Sequence, residues 1–259
     1  MSAAGRVFTL FFQLGQKAKR TKFFFIFSLL PVLLAAFLRL QQALTFSRRN
    51  ITGLFFYSNV VLPFYVQFLL LMLALFYGTS IVLEEVEGRT LPYLAARPLP
   101  RTSIILGKYA SSAALSLAMI DVGLVASFLI LNAEQLGDLS LDLVLLRDMA
   151  VLDLGLLCYL ALFAFLGALL KRAVLFGLLF CFGWENVLIY FPGLTQKLAI
   201  AHYLKSLIPQ PPSSGFAFLR FNLEPSPPLT AVLVLLGLTA VFLGAACLTF
   251  SLKEYLFEN

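Results

Sequence analysis

Three carboxylic acids stand inside strongly apolar stretches of the chain: Asp121 in Met119-Ile120-Asp121-Val122, Asp153 in Val151-Leu152-Asp153-Leu154, and Glu185 in Gly183-Trp184-Glu185-Asn186. A carboxylate near the middle of a bilayer costs about 2.5–3.5 kcal/mol on insertion scales, so none of the three is expected to face bulk lipid. Two readings fit such groups. They can line a polar substrate path or a seam between subunits, or they can make an interhelical hydrogen bond that only orients a bundle. By position Asp121 is the deepest, while Asp153 and Glu185 are expected near enough to span ends to reach water.

Other reactive side chains are isolated. His202 has no carboxylate or thiolate companion at ligand spacing, so it reads as an interfacial residue and not as a metal ligand or a base. Cys158, Cys181 and Cys247 each sit alone in an apolar run, without C-x-x-C spacing, and read as small packing residues. No G-x-x-x-x-G-K-[ST] phosphate loop is present: Gly107-Lys108 is followed by Tyr109 and lacks the leading glycine. H-E-x-x-H is absent too. The sequence therefore offers no catalytic residue, no metal site and no ATP site of its own, and a membrane-embedded enzyme acting on lipid has no catalytic cluster to use.

The elements that would position the acids are membrane helices. With 61% hydrophobic and 12% charged residues and a mean hydropathy of +0.94, the chain has too little polar surface to cover a soluble globule. The net charge of +6 gathers at the ends of apolar runs, which points to anionic lipid headgroups and topology, not to nucleic acid. A span needs about 20 mostly apolar residues. Six stretches qualify, at 23–43, 59–83, 104–131, 149–170, 174–191 and 229–251, the fifth being the shortest. The expected fold is all-α and polytopic, one membrane domain over 1–259. Pro31 and Pro63 predict kinks within their spans, not span ends.

Placing the N-terminus inside keeps Lys17, Lys19, Arg20 and Lys22 in the cytoplasm, together with the tight Lys171-Arg172 turn between spans four and five. Both termini are then cytoplasmic. Residues 1–22 form a lead-in in which Val7, Leu10, Phe11 and Leu14 recur at helical spacing, broadened by Phe8 and Phe12, and predict an amphipathic helix on the inner leaflet. A frayed extension of the first span is the alternative. The proline-rich stretch 192–228 faces outside, with a short apolar run at 198–207.

One inner loop is unlike the rest: Glu84-Glu85-Val86-Glu87-Gly88-Arg89-Thr90-Leu91-Pro92-Tyr93-Leu94-Ala95-Ala96-Arg97-Pro98-Leu99-Pro100-Arg101. Gly88 allows a turn, Thr90 can cap a new helix, and Pro92 fits a first helical turn, where its missing N–H is not needed. Pro98 disfavours helix at Arg97 and stops it. The product is a helix of about two turns, too short to be stable alone in water. Its mixture of both charge signs favours a protein partner.

From Glu85 to Lys108, with Thr90-Leu91, Leu94, Arg97-Pro98, Arg101 and Gly107-Lys108, the chain resembles the loop between spans two and three in permeases of the type-2 ATP-binding-cassette (ABC) exporter family. It departs from the usual pattern in having Arg89 directly before Thr90, with Gly88 one place earlier. The layout of an amphipathic lead-in, six spans and a long outer loop before the last span is similar as well. The resemblance implies that Glu84, Glu85, Glu87, Arg89, Thr90, Leu91, Leu94, Arg97, Pro98 and Arg101 form a coupling helix docked into a separate ATPase. It further implies two ATPase copies that hold the ATP and Mg, a second permease chain as a homodimer, and a cell (inner or plasma) membrane. The competing reading is a membrane assembly or anchoring factor that binds a cytoplasmic protein and transports nothing.

Overall fold

The computed structural model describes residues 3–44, 53–87, 101–133, 139–188, 194–208 and 226–252, and helix is the only regular structure among them. Five helices are long and apolar enough to cross a membrane: Lys19–Gln42, Gly53–Leu83, Thr102–Leu131, Leu141–Leu169 and Pro228–Leu252. A further apolar helix, Ala173–Glu185, is shorter. The described part of the expected fifth span is helical from Ala173 to Leu188, as α, π and α pieces, and residues 189–191 lie outside the described residues.

The chain begins with α1 (Ala3–Lys17), a helix separate from the first span. Ala18, at φ −65° and ψ 136°, is extended and breaks the two apart, so the lead-in is not a frayed extension. The first span is built from α2 (Lys19–Ser28) and α3 (Leu30–Leu44). They join at Leu29, two residues before Pro31, whose ring excludes the normal helical bond pattern there. The Leu29 N–H turns back to Ile26 O at 3.1 Å.

Pro63 acts in the second span. Short α pieces at Gly53–Phe56 and Leu62–Phe64 alternate with π turns at Tyr57–Val61 and Tyr65–Leu69 before α4 (Leu70–Glu87). A π turn adds a residue to the hydrogen-bonded ring and so absorbs the N–H that proline lacks. Both prolines sit at irregularities of their helices, and neither ends its span.

Next come α5 (Arg101–Leu131), α6 (Leu139–Leu169) and α7 (Ala173–Leu179), then α8 (Ile200–Leu207) and α9 (Pro228–Leu252). α6 begins ten residues earlier than the expected start at 149. The charged residues that suggested a boundary are accommodated inside the helix. Asp142 lies in the first turn, where the helix dipole favours an acid. Asp148, 1% exposed, pairs with Arg147 at 2.9 Å.

The core is the packing of α4 on α6, with α5, α7 and α9 around them. Of each span's most apolar window, 67% is buried in the second span and 61% in the fourth, against 22% in the first and 17% in the last. The outer helices thus leave apolar side chains such as Leu33, Phe37 and Leu233 for lipid or another chain. Two glycines set the approach of α4 to α6. A Cβ on Gly78 would lie 2.7 Å from Phe163 Cβ and 2.9 Å from Leu160 O, and one on Gly167 would lie 2.9 Å from Thr79 O. Close backbone approach at small residues is how membrane helices gain packing where lipid removes the hydrophobic drive. Gly78→Val should force α4 and α6 apart and cost about 1–3 kcal/mol, measured as a lowered midpoint of thermal unfolding in detergent; an unchanged midpoint would mean that the contact relaxes freely.

Candidate functional site

Of the residues expected to meet an ATPase, Glu84, Glu85 and Glu87 fall on the last turns of α4, and Arg101 opens α5. Arg89, Thr90, Leu91, Leu94, Arg97 and Pro98 lie outside the described residues, as does the short helix expected there. What the structure describes is the frame from which that loop departs.

Three elements converge on the frame. α1 packs along α5, with Val7 buried and Gly15 close enough to Leu115 that a Cβ would meet its Cδ1 at 2.6 Å. The apolar stripe of α1 is therefore divided: Val7 and Phe12 face the protein, while Leu10 and Leu14 remain exposed. A groove of about 450 Å³ runs along the open side, lined by Arg6, Thr9, Leu10, Gln13, Leu14 and Lys17. At the base of the loop Lys108 is 4% exposed, and its Nζ donates to Ile81 O of α4 at 2.8 Å. The same ammonium lies 4.7 Å from the ring centroid of Phe11 on α1. The start of the first span is tied down in parallel. The Tyr77 hydroxyl donates to Thr21 Oγ1 at 3.1 Å, and the Arg20 guanidinium lies 5.0 Å from the Tyr77 ring centroid.

The intramembrane acids separate into two arrangements. Asp121 on α5 and Asp153 on α6 are neighbours whose carboxyls interact; both are half-buried, and each has one oxygen without a hydrogen-bond partner. Asp153 is not near a helix end, because α6 starts at Leu139 and places it near the middle.

Glu185 does not reach water either. It is 1% exposed and accepts the N–H groups of Ile200 (3.1 Å) and Ala201 (3.0 Å), the first two residues of α8. Ala199, which precedes α8, has no side chain able to cap, so Glu185 serves as a cap delivered from a distant segment. Its charge also suits the positive end of the helix. The Tyr159 hydroxyl is a further hydrogen-bond donor to it. Lys205 on α8 lies close by: burial pushes its ammonium down to about 8, opposed by the attraction of the Glu185 carboxylate.

His202, fully buried, contacts Ser226 Oγ through Nε2 at 3.0 Å and so ties α8 to the start of the last span. It is a core residue, not an interfacial one. Cys158 and Cys181 are buried and unoxidised, and Cys247 is half-buried, as packing residues would be. The described residues hold no group of three metal-ligating side chains.

A sequence model of the ABC-2 family transporter protein matches residues 15–184. The chain belongs to this family. The match runs from the end of α1 through the four long spans that follow and into the short apolar helix, so it includes the Lys108 junction, the loop and the Asp121–Asp153 pair. An ABC-2 chain of this kind is the permease subunit of an ABC transporter, and the family implies an ABC ATPase as its partner. No curated protein matches the chain.

Sequence reasoning on this ABC-2 chain recorded Gly107-Lys108 as part of a pattern without giving the lysine a role. It did not connect Asp148 to Arg147 or Glu185 to α8. The signal for the last existed: a buried acid some fifteen residues before a helix that lacks its own cap.

Two measurements examine the acids. Glu185→Ala leaves two backbone N–H groups of α8 without acceptors and should destabilise the protein by about 1–3 kcal/mol, with Glu185→Gln, which keeps one carbonyl, falling between; thermal unfolding of the two variants reads that order. Asp121→Asn removes one of two neighbouring acids and keeps a polar side chain of the same shape, so its unfolding midpoint should equal or exceed that of the parent, whereas Asp121→Leu should lower it.

Proposed function

We propose that this chain is the membrane-spanning subunit of an exporter, working as a homodimer with two copies of an ABC ATPase at its inner face. Both termini lie in the cytoplasm, and the complex resides in the cell (inner or plasma) membrane. ATP and Mg are held by the partner. This chain's part is mechanical: it converts closure of the ATPase pair into alternating access.

In this reading the loop 84–103 carries the coupling helix. Glu84, Glu85, Glu87, Arg89, Arg97 and Arg101 make charged contacts with the ATPase, and Leu91 and Leu94 fill an apolar groove on it. Thr90 starts the helix and Pro98 stops it. The observation that carries the reading is the frame itself. α4 and α5 send out the two ends of the loop at the end of the bundle where α1 lies and where Lys17, Lys19, Arg20 and Lys22 gather. A force on the loop there acts directly on α4, one of the two core helices, and on α5. The basic cluster beside it supports the cytoplasmic assignment of that end.

Co-purification in mild detergent tests the proposal. The tagged chain should bring down an ATPase, and Leu91→Asp combined with Leu94→Asp should abolish the association while the permease itself still folds. Recovery of a cytoplasmic protein without ATPase activity, lost in the same double variant, would sink the transport reading in favour of a membrane anchor.

A further inference from the structure

Lys108 stands where an ordinary membrane lysine would not. A lysine in the second turn of a span normally runs its stem toward the interface and leaves its charge in water. Here the side chain is directed inward and is 4% exposed. Its Nζ meets the carbonyl of Ile81, near the C-terminal end of α4, where backbone carbonyls carry the negative end of the helix dipole. The Phe11 ring of α1 covers the same charge at 4.7 Å. One ammonium thus joins three separate stretches of chain: α5, which carries it, α4 through a carbonyl, and α1 through an aromatic face. Ile81 comes just before the loop begins, and Lys108 comes just after it ends.

We infer that Lys108 is a positioning residue that locks the two feet of the loop 84–103 together and keys α1 to them, so that movement of the loop and movement of α1 are one event. The inference rests on the permease reading for the purpose of that movement. The latch itself is a property of this chain alone.

The contact has the properties a latch needs. It is charge-assisted, so it holds the feet more firmly than a neutral bond would. It is also desolvated, which strengthens the attraction of a cation to an aromatic face. Loss of the charge leaves α1 held on α5 by apolar packing at Val7 and Leu115, so the helix loosens without the fold being lost. Methionine fills much of the lysine stem's volume and keeps its flexibility, which makes Lys108→Met a test of the charge and not of a cavity. Arginine keeps the charge, can donate to Ile81 O and can stack on Phe11.

Val7 is the reporter, being buried on α1 one turn before Phe11, where α1 packs along α5. Val7→Cys is introduced into the full chain with Cys158, Cys181 and Cys247 replaced by Ala, and the protein is reconstituted with its co-purifying ATPase in nanodiscs, where both faces are accessible. Reaction of Cys at position 7 with a polar maleimide is timed with and without ATP plus vanadate. With Lys108 present the rate should be low and should change on vanadate trapping. In Lys108→Met the basal rate should rise roughly fivefold or more, and the response to vanadate should vanish while ATP hydrolysis and subunit association persist. Lys108→Arg should restore both. A basal rate and a vanadate response in Lys108→Met equal to the parent's would overturn the latch, since a residue important only for stability would not change the response selectively. If no ATPase co-purifies, the permease reading fails on its own account, and the basal rate in the three proteins still decides whether the latch exists.

Discussion

Backbone polar groups that enter hydrocarbon must find partners within the protein, and the rest of this structure is arranged around that demand. Long helices satisfy most of it. Proline at positions 31 and 63 opens gaps in the ladder, and the chain closes them with a tight turn at Leu29 and with π turns on either side of Pro63. Hydroxyl groups are handled in the same way: Thr79, Ser116, Ser127, Thr239 and Thr249 each donate to the carbonyl four residues back. Where a helix begins within the protein and has no cap of its own, as α8 does, a carboxylate from another segment supplies the acceptor. At Ile81 a lysine from a neighbouring helix adds a donor to a backbone carbonyl.

Charges inside the bundle follow from the same low dielectric. Several buried charged groups are placed against groups that answer them: Lys108 against a carbonyl and a ring, Asp148 against Arg147, Glu185 against two amides and a phenol. Two of these contacts, Lys108 with Ile81 and Phe11 and Glu185 with the start of α8, link separate helices. The pairing of α4 with α6 through Gly78 and Gly167 gives the links a stiff core to act on. α1 and the first span are held to that core chiefly at the loop end, through Phe11, Thr21 and Arg20.

The division between the two ends of the chain has a chemical basis. Residues 1–83 contain no aspartate or glutamate, and the first acids of the chain are Glu84, Glu85 and Glu87 at the start of the loop. The lead-in and first span are therefore uniformly basic where they carry charge, suited to anionic headgroups, whereas the loop that follows mixes both signs, as a protein contact requires.

The sequence by itself determined that this is an all-α membrane protein, that α1 is amphipathic, and that the chain belongs to the ABC-2 family. Those properties follow from local composition and periodicity, which report on the solvent each residue meets. It also placed the kinks, because proline's missing N–H is a local fact. It did not place the start of the helix that carries the fourth span, since Asp142, Arg147 and Asp148 interrupt the apolar run without ending α6. Only the tertiary structure decided the fate of the polar groups: that Asp121 meets Asp153, that Glu185 caps α8, that His202 is a core residue, and that Lys108 turns inward to Ile81 and Phe11. Each of these depends on which helix lies beside which and at what rotation. In lipid that choice is made by close packing at a few small residues and by the pairing of rare polar groups, and neither leaves a periodic mark on the chain.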